Sequence, residues 1–313
     1  MHRWSIKTGE RSLLNHPQAI DNKDLQNFIS NCKSCHAIVH DDALSAIVYE
    51  VLYNNDETYI LKIPFSNARW KRELFCLKLL QDLLPVAKIV REFTPIGAFP
   101  GAILMTKFNG LPIKEEELTT ELVFAIGEYL AKLHTIKIDC YQDFANPDKT
   151  INTPTSILEE YFQESLTECK LIVSHELLAK SEQVFQKLLP NASDLDGPSI
   201  IHRDYRPGNI LMNNKQTIIG IIDFENAMGS FTQDDFSRME IMMWTKYPKL
   251  RIPFLEGYNS IRKLPNLDFL PLLKVCKLLG AIGFTVVRKT WNNKHADSYK
   301  NNIVMLTSLL TNF

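Results

Sequence analysis

The chain has 313 residues, 45% of them hydrophobic and 23% charged, the profile of an ordinary globular protein. Its net charge of −1 gives no global field to hold nucleic acid or an anionic membrane surface. No apolar run approaches the roughly 18 residues that span a bilayer, and the opening Met1-His2-Arg3-Trp4-Ser5-Ile6-Lys7 lacks the apolar stretch of a secretory signal, so the expected location is cytoplasmic.

Residues 1–30 are polar, with one short helical pattern near Asp24–Ile29. The segment Cys32-Lys33-Ser34-Cys35-His36 has the spacing of a haem attachment site and, with His40, of a zinc site. Haem attachment needs export, and a closed zinc site needs four ligands held by a knuckle. Here the segment runs into strand-like sequence, so ordinary thiols are expected. Three strands follow as an antiparallel meander: His36–His40, Ser45–Tyr53 and, after the turn residues Asn54-Asn55-Asp56, Thr58–Ile63. Leu74, Leu77, Leu80 and Leu84 recur at helical spacing and predict a helix from Asn67 to Leu84, stopped by Pro85. Ile89–Phe93 and Ala102–Phe108 read as strands separated by Pro95, Gly97, Pro100 and Gly101.

After Gly110 the character changes. Leu118, Leu122, Ile126, Leu130 and Leu133 mark a long amphipathic helix. Helical patterns also occupy 155–189, 234–246 and 268–310, with a short β-rich stretch at Ser199–Ile222. Strands with one helix, then a mostly helical half, predict an α+β bilobal fold: an N-terminal lobe over 1–105, a hinge at 106–110 and a C-terminal lobe over 111–313. A cleft between two lobes is the expected ligand site.

The strongest chemical signal is Ile201-His202-Arg203-Asp204-Tyr205-Arg206-Pro207-Gly208-Asn209-Ile210-Leu211, followed by Ile221-Ile222-Asp223-Phe224-Glu225. Asp204 and Asn209 share one loop between apolar segments. Asp223 ends a near-continuous apolar strand, which places its carboxylate at the strand's exposed tip. Asn209 and Asp223 are hard oxygen ligands suited to Mg2+, which binds through one or two carboxylates plus phosphates. Asp204 is then free to orient a hydroxyl and accept its proton.

This spacing is that of a kinase catalytic loop. From about residue 36 to 313 the chain resembles the aminoglycoside phosphotransferase and choline kinase family, which shares the protein-kinase-like bilobal fold. The resemblance implies a small-molecule kinase that uses MgATP, with the smaller lobe binding nucleotide. It implies that Lys62, on the third strand, reaches the phosphates and that Glu73 is its ion-pair partner. The stretch Ile103–Gly110 resembles the hinge, with backbone at Thr106 and Phe108 facing adenine. Tyr129–His134 resembles the helix beneath the catalytic loop. Between Gly229 and Asp235 the family places an acid that braces that loop. Ungapped spacing favours Asp234, while Phe236 keeps Asp235 possible.

Three features depart from the family pattern. His40–Ala46, where a phosphate-covering loop is expected, has no glycine, which leaves Ser45 to offer its amide or hydroxyl. Arg203 stands where antibiotic kinases carry a small residue, as in protein kinases. Yet no long activation segment and no Ala-Pro-Glu anchor follow Asp223. Glu225 fits the small-molecule branch, as a second metal or water ligand or as a hydrogen-bonded acid. A catalytically weak or dead nucleotide-binding module and a protein kinase are the competing readings.

The acceptor stays open between a sugar, a nucleoside, an amino alcohol and an antibiotic. Residues 239–313 carry 11 Lys/Arg against four Asp/Glu, which disfavours a polycation, but residues 111–176 carry 13 acids against five bases. Counts by segment do not say which face these charges occupy.

Overall fold

The computed structural model describes residues 22–38, 46–54, 56–148, 150–151, 153–287 and 293–313. It opens with helix α1 (Lys23–Ser30) and strands β1 (Cys32–Ala37), β2 (Ala46–Tyr53) and β3 (Thr58–Pro64). Helix α2 (Asn67–Leu80) and strands β4 (Ile89–Phe93) and β5 (Ala102–Thr106) complete the first lobe. These strands make one antiparallel sheet in the order β1-β2-β3-β5-β4. Leu25, Phe28, Val51, Leu61, Phe93 and Leu104 fill the core on the α1 side of this sheet.

Several boundaries differ from the sequence reading, among them the end of β5 at Thr106 rather than Phe108. The first strand begins at Cys32, not His36, because Cys35 and His36 pair across the sheet with Val51 and Glu50. Cross-strand pairing and contact with the α1 core outweigh the weak β-propensity of this polar segment. Helix α2 stops at Leu80, four residues early, and both Leu83 N–H and Leu84 N–H close onto Leu80 O at 2.9 Å. Pro85 disfavours helical geometry at Leu84, so the chain tightens before reaching it.

The chain continues with β6 (Leu111–Pro112) and α3 (Thr120–Thr135), followed by β7 (Tyr141–Gln142), β8 (Thr150–Ile151), α4 (Pro154–Cys169) and α5 (His175–Leu188). The helical pattern over 155–189 is resolved into two helices. Asn22, Ser66, Thr119, Thr153 and Ser174 cap α1 to α5 in turn, each side chain accepting a first-turn backbone N–H. Strands β9 (Ser199–Ile201), β10 (Ile210–Met212), β11 (Ile218–Ile221) and β12 (Met228–Ser230) follow, then α6 (Gln233–Met239), which runs into a π-helical turn over Glu240–Trp244. Helices α7 (Arg251–Ile261), α8 (Leu270–Val287) and α9 (Asn293–Leu310) complete the fold, so the helical pattern over 268–310 also holds two helices.

Helix α7 was not anticipated; with Pro253 and Gly257 inside eleven residues, its local signal is weak. Its glycine is what seats it. A Cβ at Gly257 would lie 2.0 Å from Phe124 O, and one at Gly127 of α3 would lie 2.1 Å from Phe254 O. The two helices therefore cross backbone to backbone. One core runs from α2 and β5 through α3 to Phe236, Phe254 and Tyr258, and a second joins α4, α5, α8 and α9. No described helix is long and apolar enough to cross a membrane.

Candidate active site

Lys62 lies in the middle of β3, opposite Val48 and Ile103, and Glu73 lies on the buried face of α2. Lys62 Nζ donates to Glu73 Oε2 at 2.8 Å and to Asp223 Oδ1 at 2.6 Å, with Glu225 Oε2 at 3.4 Å. Asp223 follows β11 with φ 74°, a left-handed conformation that aspartate tolerates better than most residues. Glu225 sits in the short 3-10 turn that follows, ion-paired with Arg69 of α2. The outer face of α2 also ties down this region, since Arg72 grips Asp143 through two bonds of 2.6 Å.

The electrostatics follow from burial. Burial alone would lower the Lys62 ammonium, but Asp223, Glu73 and Glu225 together hold it well above its ordinary value. Burial pushes the Glu73 carboxyl up, with Lys62 opposing. Burial also works against ionised Asp223, yet Lys62, with help from His202 and Arg206, keeps it below the usual carboxylate range. Carboxylate oxygens of Glu73, Asp223 and Glu225 all lie within 4.8 Å of one another. Glu225 Oε2 is buried and has no hydrogen-bond partner. Three carboxylates, one of them with an unsatisfied buried oxygen, fit a small divalent cation such as Mg2+.

The loop 202–209 forms the other wall. His202 Nε2 donates to Ile222 O at 3.0 Å while Nδ1 faces the Asp204 N–H at 3.3 Å, so the ring joins the loop to the residue before Asp223. Asn209 Nδ2 donates to Asp204 O at 2.8 Å and to Asp204 Oδ2 at 3.0 Å, which leaves its Oδ1 as the atom to offer a cation. Asp204 Oδ1 receives Arg238 Nε at 2.9 Å and Nη2 at 2.5 Å, and Arg206 Nε approaches Oδ2 at 3.4 Å. Tyr205 reaches inward and donates to Ile126 O at 2.8 Å.

The brace on this loop is Asp235, not Asp234. Asp235 accepts His202 N–H at 2.8 Å and Arg203 N–H at 2.6 Å, and Asp235 Oδ2 meets His134 Nε2 at 3.1 Å. His134 Nδ1 meets Tyr258 OH at 3.0 Å, and Arg262 donates to that hydroxyl at 2.9 Å. The network links α3, α6, α7 and the loop. Neighbouring residues on a helix point about 100° apart, so Asp234 faces elsewhere, toward Arg203 Nε at 3.3 Å and Lys277 Nζ at 2.9 Å.

Of the residues singled out from sequence, Lys62, Glu73, Asp223 and Glu225 meet in one cluster, and Asp204 and Asn209 meet in another beside it. Thr106 N–H donates to Lys88 O at 2.9 Å, which withdraws that amide from the adenine role expected of it. The Phe108 ring lies against Gly220, whose added Cβ would be 2.8 Å from it. Ser45 lies outside the described residues. Arg69 and Arg238 were missed. For Arg238 the available signal was its place one helical turn after the bracing acid.

Comparison with known proteins accords with this geometry. Residues 38–270 match the APH family, described as the phosphotransferase enzyme family. Spectinomycin phosphotransferase APH(9)-Ia, solved with ADP and spectinomycin, is 17% identical with a TM-score of 0.61, over 93% of this chain and 98% of that one. An ethanolamine kinase from Plasmodium vivax is 14% identical with a TM-score of 0.67, over 98% of this chain and 92% of that one. A probable cyclin-dependent serine/threonine-protein kinase of Dictyostelium discoideum is 26% identical over 174 residues, half of this chain and a quarter of that protein. The chain belongs to the APH phosphotransferase family, small-molecule kinases with a protein-kinase-like bilobal fold.

Proposed function

We propose that this enzyme transfers the γ-phosphoryl group of MgATP to a hydroxyl of a small molecule. The observation that carries the reading is the convergence of Lys62, Glu73, Asp223 and Glu225 beside the Asp204 loop. Buried ion clusters are poor stabilisers, and a cluster of this kind in a cleft is a mark of function. Lys62 binds phosphate oxygens, and Glu73 holds it in place. Asn209, Asp223 and Glu225 hold Mg2+, which supplies neutralisation of charge on the transferred group. Asp204 orients the acceptor hydroxyl and takes its proton, and Arg238 fixes the Asp204 carboxylate. Backbone at 107–109 of the proposed hinge faces adenine, since the Thr106 amide is committed. The lobe boundary falls at this hinge. ADP in the spectinomycin phosphotransferase supports a nucleotide donor.

A protein acceptor is disfavoured by the segment after Asp223. β12 pairs with β9 and β7, so this stretch is locked into a sheet and offers no long platform for a polypeptide. The test is ADP release from MgATP across a panel of hydroxylated compounds. Asp204→Ala is expected to keep nucleotide binding and to lower turnover by about 10²–10⁴-fold. Near-normal turnover in that variant refutes the role given to Asp204.

A further inference from the structure

Beyond the catalytic loop, on the helical side, lies a cavity of ≈ 250 Å³. Tyr161 of α4 and Met228 of β12 form part of its wall. Its charged lining is four carboxylates, Asp143, Glu160, Glu164 and Asp234, and two cations, Arg203 and Lys277. Arg203 and Lys277 both face it, and a single carboxylate, Asp234, is shared between them at 3.3 and 2.9 Å. Lys277 projects from a helix whose one other charged residue is Lys274, and its side chain is only 13% exposed. An ammonium carries three donors and a guanidinium five. Among the described residues, Asp234 is the one acid that bonds either of these side-chain cations, while Asp235 takes the Arg203 amide. Asp143 also lines the cavity, but Arg72 occupies both of its oxygens. Glu160 and Glu164 line it from α4 at exposed positions, where water screens them. At the sheltered end the Lys277 ammonium therefore has one carboxylate partner and further donors to offer, whereas Arg203 also has the buried Asp235 close by; an ammonium so placed is costly to bury without a further partner.

We propose that the acceptor is an alcohol that also carries an oxyanion, a carboxylate or a phosphate, which docks between Lys277 and Arg203 while its hydroxyl faces Asp204. This rests on the phosphotransferase reading above. Arg203 adjoins Asp204 in the chain, so an anion held at Arg203 lies beside the catalytic loop. Burial lowers the Lys277 ammonium, and Arg203 and Arg238 add to this against Asp234, so an arriving anion strengthens its protonation. A polycationic aminoglycoside presents ammonium groups to these two cations and is disfavoured.

The experiment is calorimetric titration of the full chain saturated with Mg·AMP-PNP, using glycerol, D-glycerate, glycerol 3-phosphate and kanamycin. The anionic members of the three-carbon set are expected to bind at least about tenfold more tightly than glycerol, the scale of one charge-assisted hydrogen bond. Which of them binds tighter identifies carboxylate or phosphate. Lys277→Met should remove that preference and Lys277→Arg should restore it, with Lys277→Gln as a second variant if the methionine chain does not fold. Equal binding of glycerol and its anions, a preference for kanamycin, or an unchanged preference in the neutral variants overturns the proposal. Failure to bind Mg·AMP-PNP, read before any acceptor is added, counts instead against the phosphotransferase reading. The anion titration then proceeds on the nucleotide-free chain and is scored by the same outcomes.

Discussion

Replacing Asp235 with alanine removes the acceptor from three donors at once: the amides of His202 and Arg203 and the His134 ring. Asp235 is fully buried, as are His134 and His202, so water does not replace it freely. An unsatisfied buried donor costs about 1–3 kcal/mol. Two amides and an imidazole give roughly 3–6 kcal/mol after partial relaxation, a large share of the about 5–15 kcal/mol that holds a domain together. Asp235→Asn keeps one acceptor oxygen and turns an NH2 toward the other donors, so its cost is expected to fall between wild type and alanine. Urea unfolding followed by circular dichroism measures both. Turnover of the folded fraction should also drop, although Asp235 touches no reactant, because the Asp204 backbone follows the two released amides. A cost under about 1 kcal/mol for Asp235→Ala, with unchanged turnover, refutes the brace.

Gly127→Ala places a methyl 2.1 Å from Phe254 O and forces α3 and α7 apart; it should cost about 3 kcal/mol, the upper end of overpacking effects, and a loss under about 1 kcal/mol by denaturant titration argues against the backbone contact. Burial lowers the His134 pKa below its ordinary 6.5, with Asp235 opposing. The unfolded chain thus binds that proton first, so stability is full above pH 6.5 and is lost as pH falls toward the folded value, by at most about 1.4 kcal/mol per unit; a His134→Asn chain with the same slope of melting temperature against pH contradicts this. Arg238→Ala frees the Asp204 carboxylate from its bidentate partner and should lower kcat about 10–100-fold with little change in the KM for nucleotide. Arg238→Lys should recover only part, since a single ammonium does not reproduce the fork; full recovery, or a loss confined to KM, counts against a positioning role.

Much of this protein was legible from local pattern. Alternating β-formers, leucines at helical spacing and the turn residues between them predicted an α+β bilobal chain, because such periodicity reports which face of an element is buried. The catalytic candidates were legible for a related reason. Asp204 and Asn209 share one loop, and Asp223 ends an apolar strand, so short-range geometry already aims them at one place. Tertiary structure alone decided the rest. Ungapped spacing favours Asp234 over its neighbour Asp235, and only the seating of α6 turns Asp235 toward the loop amides and Asp234 toward Lys277. The polar Cys32–Ala37 became a strand because β2 offered it partners. Charge counts along the chain did not reveal that Lys277 of α8 and Glu164 of α4 line one cavity. Such meetings depend on how distant helices pack, and side-chain direction on a helix carries no record of its neighbour until the core has closed.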